Sequence, residues 1–202
     1  MKEHPIIFSG PMVRAILDGR KTQTRRVIKP QPEIVDKEPR YRKNTWALWS
    51  DKIPKYKGGL IVSCPYGKPG DLLYVKETWR PIASSEQLLY RADIYNVMAW
   101  DEFGKWRPSI HMPRKASRIT LEITDVRVAS LNDMIEEDAR SEGIVDGGCL
   151  NCGEHEPCGC NDPQPNARDA FIYLWNSINE KRGYGWIMNP WVWVISFKRI
   201  KS

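Results

Sequence analysis

The chain has 202 residues, of which 41% are hydrophobic and 28% are charged, values that support a hydrophobic core and are typical of globular proteins. They exclude a fully disordered or fibrous protein, and no apolar run in the sequence approaches the roughly 20 residues of a transmembrane helix. The first residues, MKEHPIIFSG, lack the apolar stretch of a secretory signal. We therefore expect a cytoplasmic protein without a membrane partner.

Charge and tryptophan are the unusual features of the composition. The net charge is +6, yet residues 20–68 hold 13 Lys and Arg against 4 Asp and Glu, and residues 130–162 hold 9 acids against one Arg. The chain also contains 9 Trp. Cations that meet phosphates and rings that stack on bases favour RNA or a nucleotide as the partner. The alternative is an ordinary solvated basic surface.

The first half of the chain begins with a strand and a helix. A strand is predicted at 5–8, followed by a helix that begins after Ser9 and stops at Gly19. Residues of about 29–69 are rich in Pro, Lys and Gly, and we interpret them as a basic insertion with short strands at 45–49 and 60–63.

The second half alternates strands and helices around another insertion. Strands are predicted at 72–75, 88–91, 119–128 and 191–197, the last of them central because both of its faces are apolar. Helices are predicted from Ser130 to about Glu142 and around 170–178, on either side of a Cys-rich insertion at about 144–165. This order favours one mixed α/β, strand-rich domain over 1–202, a small β-barrel decorated by helices.

The segment Gly19–Arg26, GRKTQTRR, follows the first helix and carries the first candidate site. Side chains alternate along an extended chain, which separates Thr22, Thr24 and Arg26 from Lys21, Gln23 and Arg25. A bend after the helix would bring Lys21 beside Thr24, where a Lys with a pKa lowered by burial can act as base for a hydroxyl. An exposed basic segment is the structural alternative.

Three motifs resemble the ASCH domain family: GRKTQTRR at 19–26, GDLLYV at 70–75 and ARSEG at 139–143. The stretches SIHMPR at 109–114 and GWIMNPW at 185–191 are similar to a phage and prophage branch of that family. The resemblance implies a PUA-like β-barrel and an association with RNA.

One ASCH branch, the acetylcytidine amidohydrolases, cleaves the acetyl group from the exocyclic amine of cytidine. The resemblance implies catalytic roles for Lys21, Thr24 and Glu142. In one route Lys21 takes the proton of Thr24, which attacks the amide carbonyl; in the other, Glu142 activates water directly. The residues expected to bind substrate or nucleic acid are Arg20, Thr22, Arg25, Arg26, Trp46, Glu77 and Trp79.

Four cysteines within twelve residues form the second candidate site. Cys149, Cys152, Cys158 and Cys160 could hold a structural zinc ion, with His155 as a substitute ligand, because thiolates suit tetrahedral zinc. The alternative is a reduced loop without metal.

Three functions remain open from the sequence. The first is an RNA- or nucleotide-binding protein that hydrolyses acetylcytidine-type nucleosides. The second is an RNA-binding module without catalysis, and the third is a ribonuclease. The oligomeric state and the role in a phage are open as well.

Overall fold

The computed structural model describes residues 1–31, 33–35, 38–41, 45–46, 60–61, 63–82, 87–94, 105–145 and 167–200, with backbone alone for the strands between 33 and 61. The helices and strands in chain order are β1 (Glu3–Ile7), α1 (Gly10–Leu17), β2 (Gln23–Val27), β3 (Glu33–Val35), β4 (Glu38–Tyr41), β5 (Thr45–Trp46), β6 (Leu60–Ile61), β7 (Leu72–Lys76), β8 (Trp79–Pro81), β9 (Leu88–Tyr90), β10 (Thr120–Ser130), α2 (Glu136–Ser141), α3 (Ala167–Asn179) and β11 (Trp191–Ile200). The prediction of a mixed α/β, strand-rich chain is confirmed.

The chain divides into two compact units, and the first comprises Met1–Arg20, Tyr66–Thr124 and Phe197–Ser202. In it, β1 lies parallel to β7, and β7 pairs with the beginning of β10 in the antiparallel sense. Helix α1 begins after Ser9 and is followed by Gly19 at φ 78°, a conformation that suits glycine and ends the helix as predicted. A separate two-stranded ribbon joins β8 to β9.

The second unit comprises Lys21–Pro65 and Asp125–Ser196. Here β2 pairs with β11 in the antiparallel sense, from Val27 opposite Val192 to Gln23 opposite Ser196. Strand β11 lies between β10 and β2, so the prediction of a central strand is confirmed. The core of this unit joins α2, α3 and β11, and its buried members are Leu131, Met134, Ala139, Ala167, Phe171, Trp175, Val192 and Val194.

The basic insertion contains more regular structure than the sequence predicted. The short strands near 45 and 60 are confirmed as β5 and β6, and β3 and β4 precede them in one sheet of order β3-β4-β5-β6. The sequence of β3 and β4 contains Pro39 and several charges, which hide the alternation that normally marks a strand.

The prediction of a helix beginning at Ser130 is wrong. Strand β10 continues to Ser130, a single 3-10 turn covers Leu131–Asp133, and α2 begins only at Glu136. Distant contacts hold this backbone away from the helical course: Leu131 N donates to Pro190 O at 3.1 Å, and Asn189 Oδ1 accepts from Ser130 Oγ and Asn132 N. The end of the helix, at Ser141 with Glu142 as C-cap, agrees with the prediction.

The expected closed β-barrel is not what the described strands form. A barrel requires the two outer strands of a sheet to pair with each other. The described strands instead lie in open sheets of five, four and two strands, each of which ends in edge strands. The barrel was predicted from the order of strands and helices and from the family resemblance, but that order is satisfied by open sheets as well. Among the described residues, no helix is long and apolar enough to cross a membrane.

Candidate functional site

Lys21 and Glu142, which are 121 positions apart in sequence, meet inside the second unit. Lys21 stands just before β2, and Glu142 caps the end of α2. The backbone joins these two places because Thr22 N donates to Ser141 O at 2.9 Å. The Nζ of Lys21 then donates to Glu142 Oε2 at 2.6 Å, a short charge-assisted contact between side chains that are 0% and 4% exposed.

The ammonium group of Lys21 has further acceptors on the backbone. Its Nζ donates to Glu142 O at 2.8 Å and to Gln23 O at 2.9 Å, which together with the carboxylate makes three acceptors for three N–H groups. The carbonyl of Glu142 belongs to the negative end of α2, where a cation is stabilised and a carboxylate alone is not. Lys21 therefore satisfies both the helix end and the carboxylate beside it.

A second cation, Arg25, shares Glu142 with Lys21. Its Nη1 lies 3.4 Å from Glu142 Oε1, and its Nη2 lies 2.8 Å from Asp138 Oδ2. Asp138 also accepts from Gln23 Nε2 at 2.9 Å. The result is a largely buried network in which the carboxylates of Asp138 and Glu142, at the end of α2, face Lys21 and Arg25, and the exposed Arg127 of β10 also contacts Asp138 at 3.3 Å.

Burial is the main influence on the pKa of Lys21. Because the charged form loses its hydration, burial lowers the pKa of this amine from its usual 10.5, and the nearby Arg26 and Arg25 lower it as well. The carboxylate of Glu142 opposes this shift. A lowered pKa makes the amine a better proton donor and a more accessible base near neutral pH.

Thr24 is buried, but its side chain lies on the opposite face of β2 from Gln23 and Arg25. Successive side chains of a strand alternate between faces, and the regular pairing of β2 with β11 preserves that alternation. The hydroxyl of Thr24 accepts from Arg26 Nη1 at 2.9 Å, two positions along the same face. The structure thus joins Lys21 to Glu142 and pairs the hydroxyl of Thr24 with Arg26.

The other predicted binding residues of the motif are at the surface or partly buried. Arg20 is exposed and pairs with Asp18 at 2.9 Å. Thr22 is exposed, and Arg26 is half-buried while donating to Thr24 and to Arg25 O.

Glu77 and Trp79 belong to the interior of the first unit. Glu77 is 2% exposed and forms a bidentate pair with Arg118, at 2.9 and 3.1 Å. Trp79 packs with Met112 and Ala116 in a small buried cluster. Arg118 also holds Asp93 through two bonds of 2.7 Å, and no sequence signal indicated that pairing.

Two predicted features fall outside what the structure describes. The backbone of Trp46 lies in β5, but its side chain is not among the described ones. Cys149, Cys152, Cys158, Cys160 and His155 lie outside the described residues, so zinc stays a prediction. Among the side chains that are described, no group of three or more His, Cys, Asp or Glu is placed to hold a metal ion.

Asp138 and Gln23 were not predicted as site residues, although the sequence carries a signal for both. Asp138 precedes Glu142 by four residues, which places both on one face of a helix. Gln23 precedes Arg25 by two residues, which places both on one face of a strand. Two such faces, once in contact, make this network.

Comparison with family models, curated proteins and solved structures found no match for this chain.

Proposed function

We propose that this is a cytoplasmic ASCH-type protein that binds RNA or a nucleotide and hydrolyses the acetyl amide of an acetylcytidine-type nucleoside. The observation that supports it best is the buried 2.6 Å contact between Lys21 and Glu142. The three ASCH-like motifs support it too, because two of them contribute these residues and the backbone bond between Thr22 and Ser141 joins the two motifs. We include in this proposal that the fold is related to the PUA-like fold.

The reaction needs a base for water and an acid for the leaving amine. Glu142 takes a proton from water while the water oxygen attacks the acetyl carbonyl carbon and the carbonyl electrons move to its oxygen. When the oxyanion collapses, the bond between the carbonyl carbon and the exocyclic nitrogen breaks, and Lys21 gives that nitrogen a proton. The products are cytidine and acetic acid, which loses its proton to solvent as acetate, and the proton on Glu142 returns to Lys21 across their contact. General acid–base catalysis of this kind raises the reaction rate by a factor on the order of 10²–10⁴.

The route through Thr24 is less compatible with the geometry. A nucleophilic Thr24 would have to pass its proton to Lys21, whose Nζ already donates to Glu142 Oε2 and to two backbone carbonyls, whereas Glu142 is in direct contact with Lys21. We therefore assign the nucleophile to water. Thr24→Val removes the hydroxyl at nearly constant volume and distinguishes the two routes, since it retains activity only in the water route.

A non-catalytic RNA-binding module is the second candidate. The side chains of Lys21 and Glu142 are 0% and 4% exposed, which is also what a purely structural ion pair requires. The basic region at 20–68 is sufficient for binding a polyanion without catalysis.

Lys21→Ala is expected to remove deacetylation, by about 10² or more in rate, because it removes the proton donor to the leaving amine. Acetylated cytidine and short RNA are incubated with each protein, and products are analysed by mass. Lys198→Ala is the matched control, since it removes an exposed Lys that pairs with Glu122.

Circular dichroism checks that each variant folds, and Lys21→Met, which keeps most of the buried volume, replaces Lys21→Ala if that protein is unfolded. Full activity in a folded Lys21 variant contradicts the catalytic proposal. Salt-dependent RNA binding without nucleoside turnover in the wild type supports the module instead. Cleavage of the RNA chain supports the ribonuclease alternative.

A further inference from the structure

Arg25 has one donor that its surroundings leave without an acceptor. The guanidinium is 3% exposed, with Nη1 directed to Glu142 and Nη2 to Asp138. Its Nε–H is buried and, among the described residues, meets no hydrogen-bond acceptor. Buried polar groups of proteins are nearly always satisfied, and an unmet donor on a charged group is especially unfavourable.

Among the described residues, no oxygen of this network lies within hydrogen-bond distance of that Nε. Both oxygens of Glu142 are engaged, one by Lys21 and one by Arg25 itself. Both oxygens of Asp138 are engaged, by Arg25 and by Gln23. The missing acceptor is therefore best supplied by a molecule that enters the site.

The chemistry of the Arg25 guanidinium determines which kind of acceptor its Nε–H would bind. A guanidinium stays charged at every physiological pH, and its planar N–H groups point in fixed directions. Two carboxylates hold this one in place before any ligand arrives. A fixed, buried positive donor favours an oxygen that carries or develops negative charge.

We propose that Arg25 Nε–H binds the acyl carbonyl oxygen of the substrate and stabilises the negative charge that this oxygen gains during hydrolysis. This rests on the proposed function and makes Arg25 a further catalytic residue. Nε–H lies on the edge of the guanidinium that also carries Nη2, so the acceptor position is on the Asp138 side of this group, while Nη1 contacts Glu142, the base for water. Asp138 is a positioning residue that holds the guanidinium through Nη2.

Arg25→Lys keeps a cation but removes the fixed Nε–H. We expect kcat to fall by about 10²–10³, the usual effect of losing one oxyanion donor, with a smaller change in KM. Arg140→Lys is the matched control: it makes the same change at an exposed residue of α2 and leaves both constants unchanged. Equal kcat values for Arg25→Lys and the wild type overturn the inference.

A binding measurement tests the same atom without turnover. In wild-type protein labelled with ¹⁵N, the Nε–H signal of Arg25 is identified by its loss in Arg25→Lys. The probe is cytidine that carries a methylsulfonyl group on the exocyclic nitrogen in place of the acetyl group. The methylsulfonyl group presents two oxygens on a tetrahedral sulfur and is not hydrolysed. We expect the probe to shift this signal and to slow exchange of its proton with solvent, whereas cytidine leaves it unchanged.

The outcomes separate the inference from the function on which it rests. Turnover of acetylcytidine with no shift on adding the probe overturns the role of Arg25 and leaves the amidohydrolase proposal standing. A shift without turnover supports Arg25 as an acyl-oxygen site and overturns the hydrolysis. An equal shift with cytidine overturns recognition of the acyl group, and neither shift nor turnover overturns both proposals.

Discussion

Glu142→Gln is expected to lower the free energy of unfolding by about 3–5 kcal/mol, the usual loss when one partner of a buried ion pair is removed. The change keeps the shape of the side chain but leaves the ammonium of Lys21, 0% exposed, without its counter-charge. Arg25 loses the same carboxylate. Urea denaturation followed by tryptophan fluorescence and circular dichroism measures the change.

Glu122→Gln is the matched control for this prediction. Glu122 pairs with Lys198 at 3.1 Å, but its side chain is 35% exposed, and such a pair contributes roughly 0–1 kcal/mol. The double variant Lys21→Met with Glu142→Gln is expected to lose less stability than the sum of the single changes, because no buried ammonium remains unpaired. A loss for Glu142→Gln as small as that of the control contradicts the buried pair.

Arg118→Met is also expected to have a large effect and to lower the free energy of unfolding by about 3–5 kcal/mol at pH 7. The substitution leaves the buried carboxylate of Glu77 without its bidentate partner and also releases Asp93. Arg114→Met is the matched control in the same unit, because Arg114 forms a bidentate pair with Glu3 in which both side chains are 42% exposed. That control is expected to lose no more than about 1 kcal/mol.

The loss in Arg118→Met is expected to depend on pH through Glu77. Burial already raises the pKa of Glu77 above its usual 4.5, against the opposing effect of Arg118. Removal of Arg118 raises this pKa further, so the folded variant binds the proton more tightly than the unfolded chain does. Its stability is therefore greatest below pH 4.5 and falls as pH rises through the folded pKa. Denaturation midpoints from pH 4 to 8 measure this, and a loss that is constant over that range contradicts it.

The local pattern of residues was sufficient to predict much of the site. The alternation of GRKTQTRR correctly placed Gln23 and Arg25 on one face and Thr24 and Arg26 on the other, because side chains of any extended strand alternate. The strand predicted at 119–128 shows the same behaviour, because its alternating residues Ile119, Leu121 and Ile123 are at most 1% exposed. The pairing of Lys21 with Glu142 was expected only through the family resemblance.

Features that depend on distant parts of the chain were missed or predicted wrongly. Ser130, with Asp133 three residues later, carries only a weak local signal for a helix start, and contacts with Asn189 and Pro190 hold the backbone around Ser130 extended. Lys21 pairs with Glu142, which is 121 positions away in sequence, and no local pattern indicated this contact. Long-range hydrogen bonds can override a local preference because that preference is weak.

The amino-acid sequence by itself determined where most strands lie, which of their side chains face inward and where α1 and α2 end, since these depend on periodicity and on glycine at positive φ. Only the tertiary structure decided that Asp138 joins Arg25, that Arg118 lies between Glu77 and Asp93, and that the Nε–H of Arg25 has no acceptor among the described residues. The physical reason is that these contacts join residues far apart in sequence. Whether a buried charge is satisfied depends on the position of every neighbouring donor and acceptor, and no local pattern encodes that.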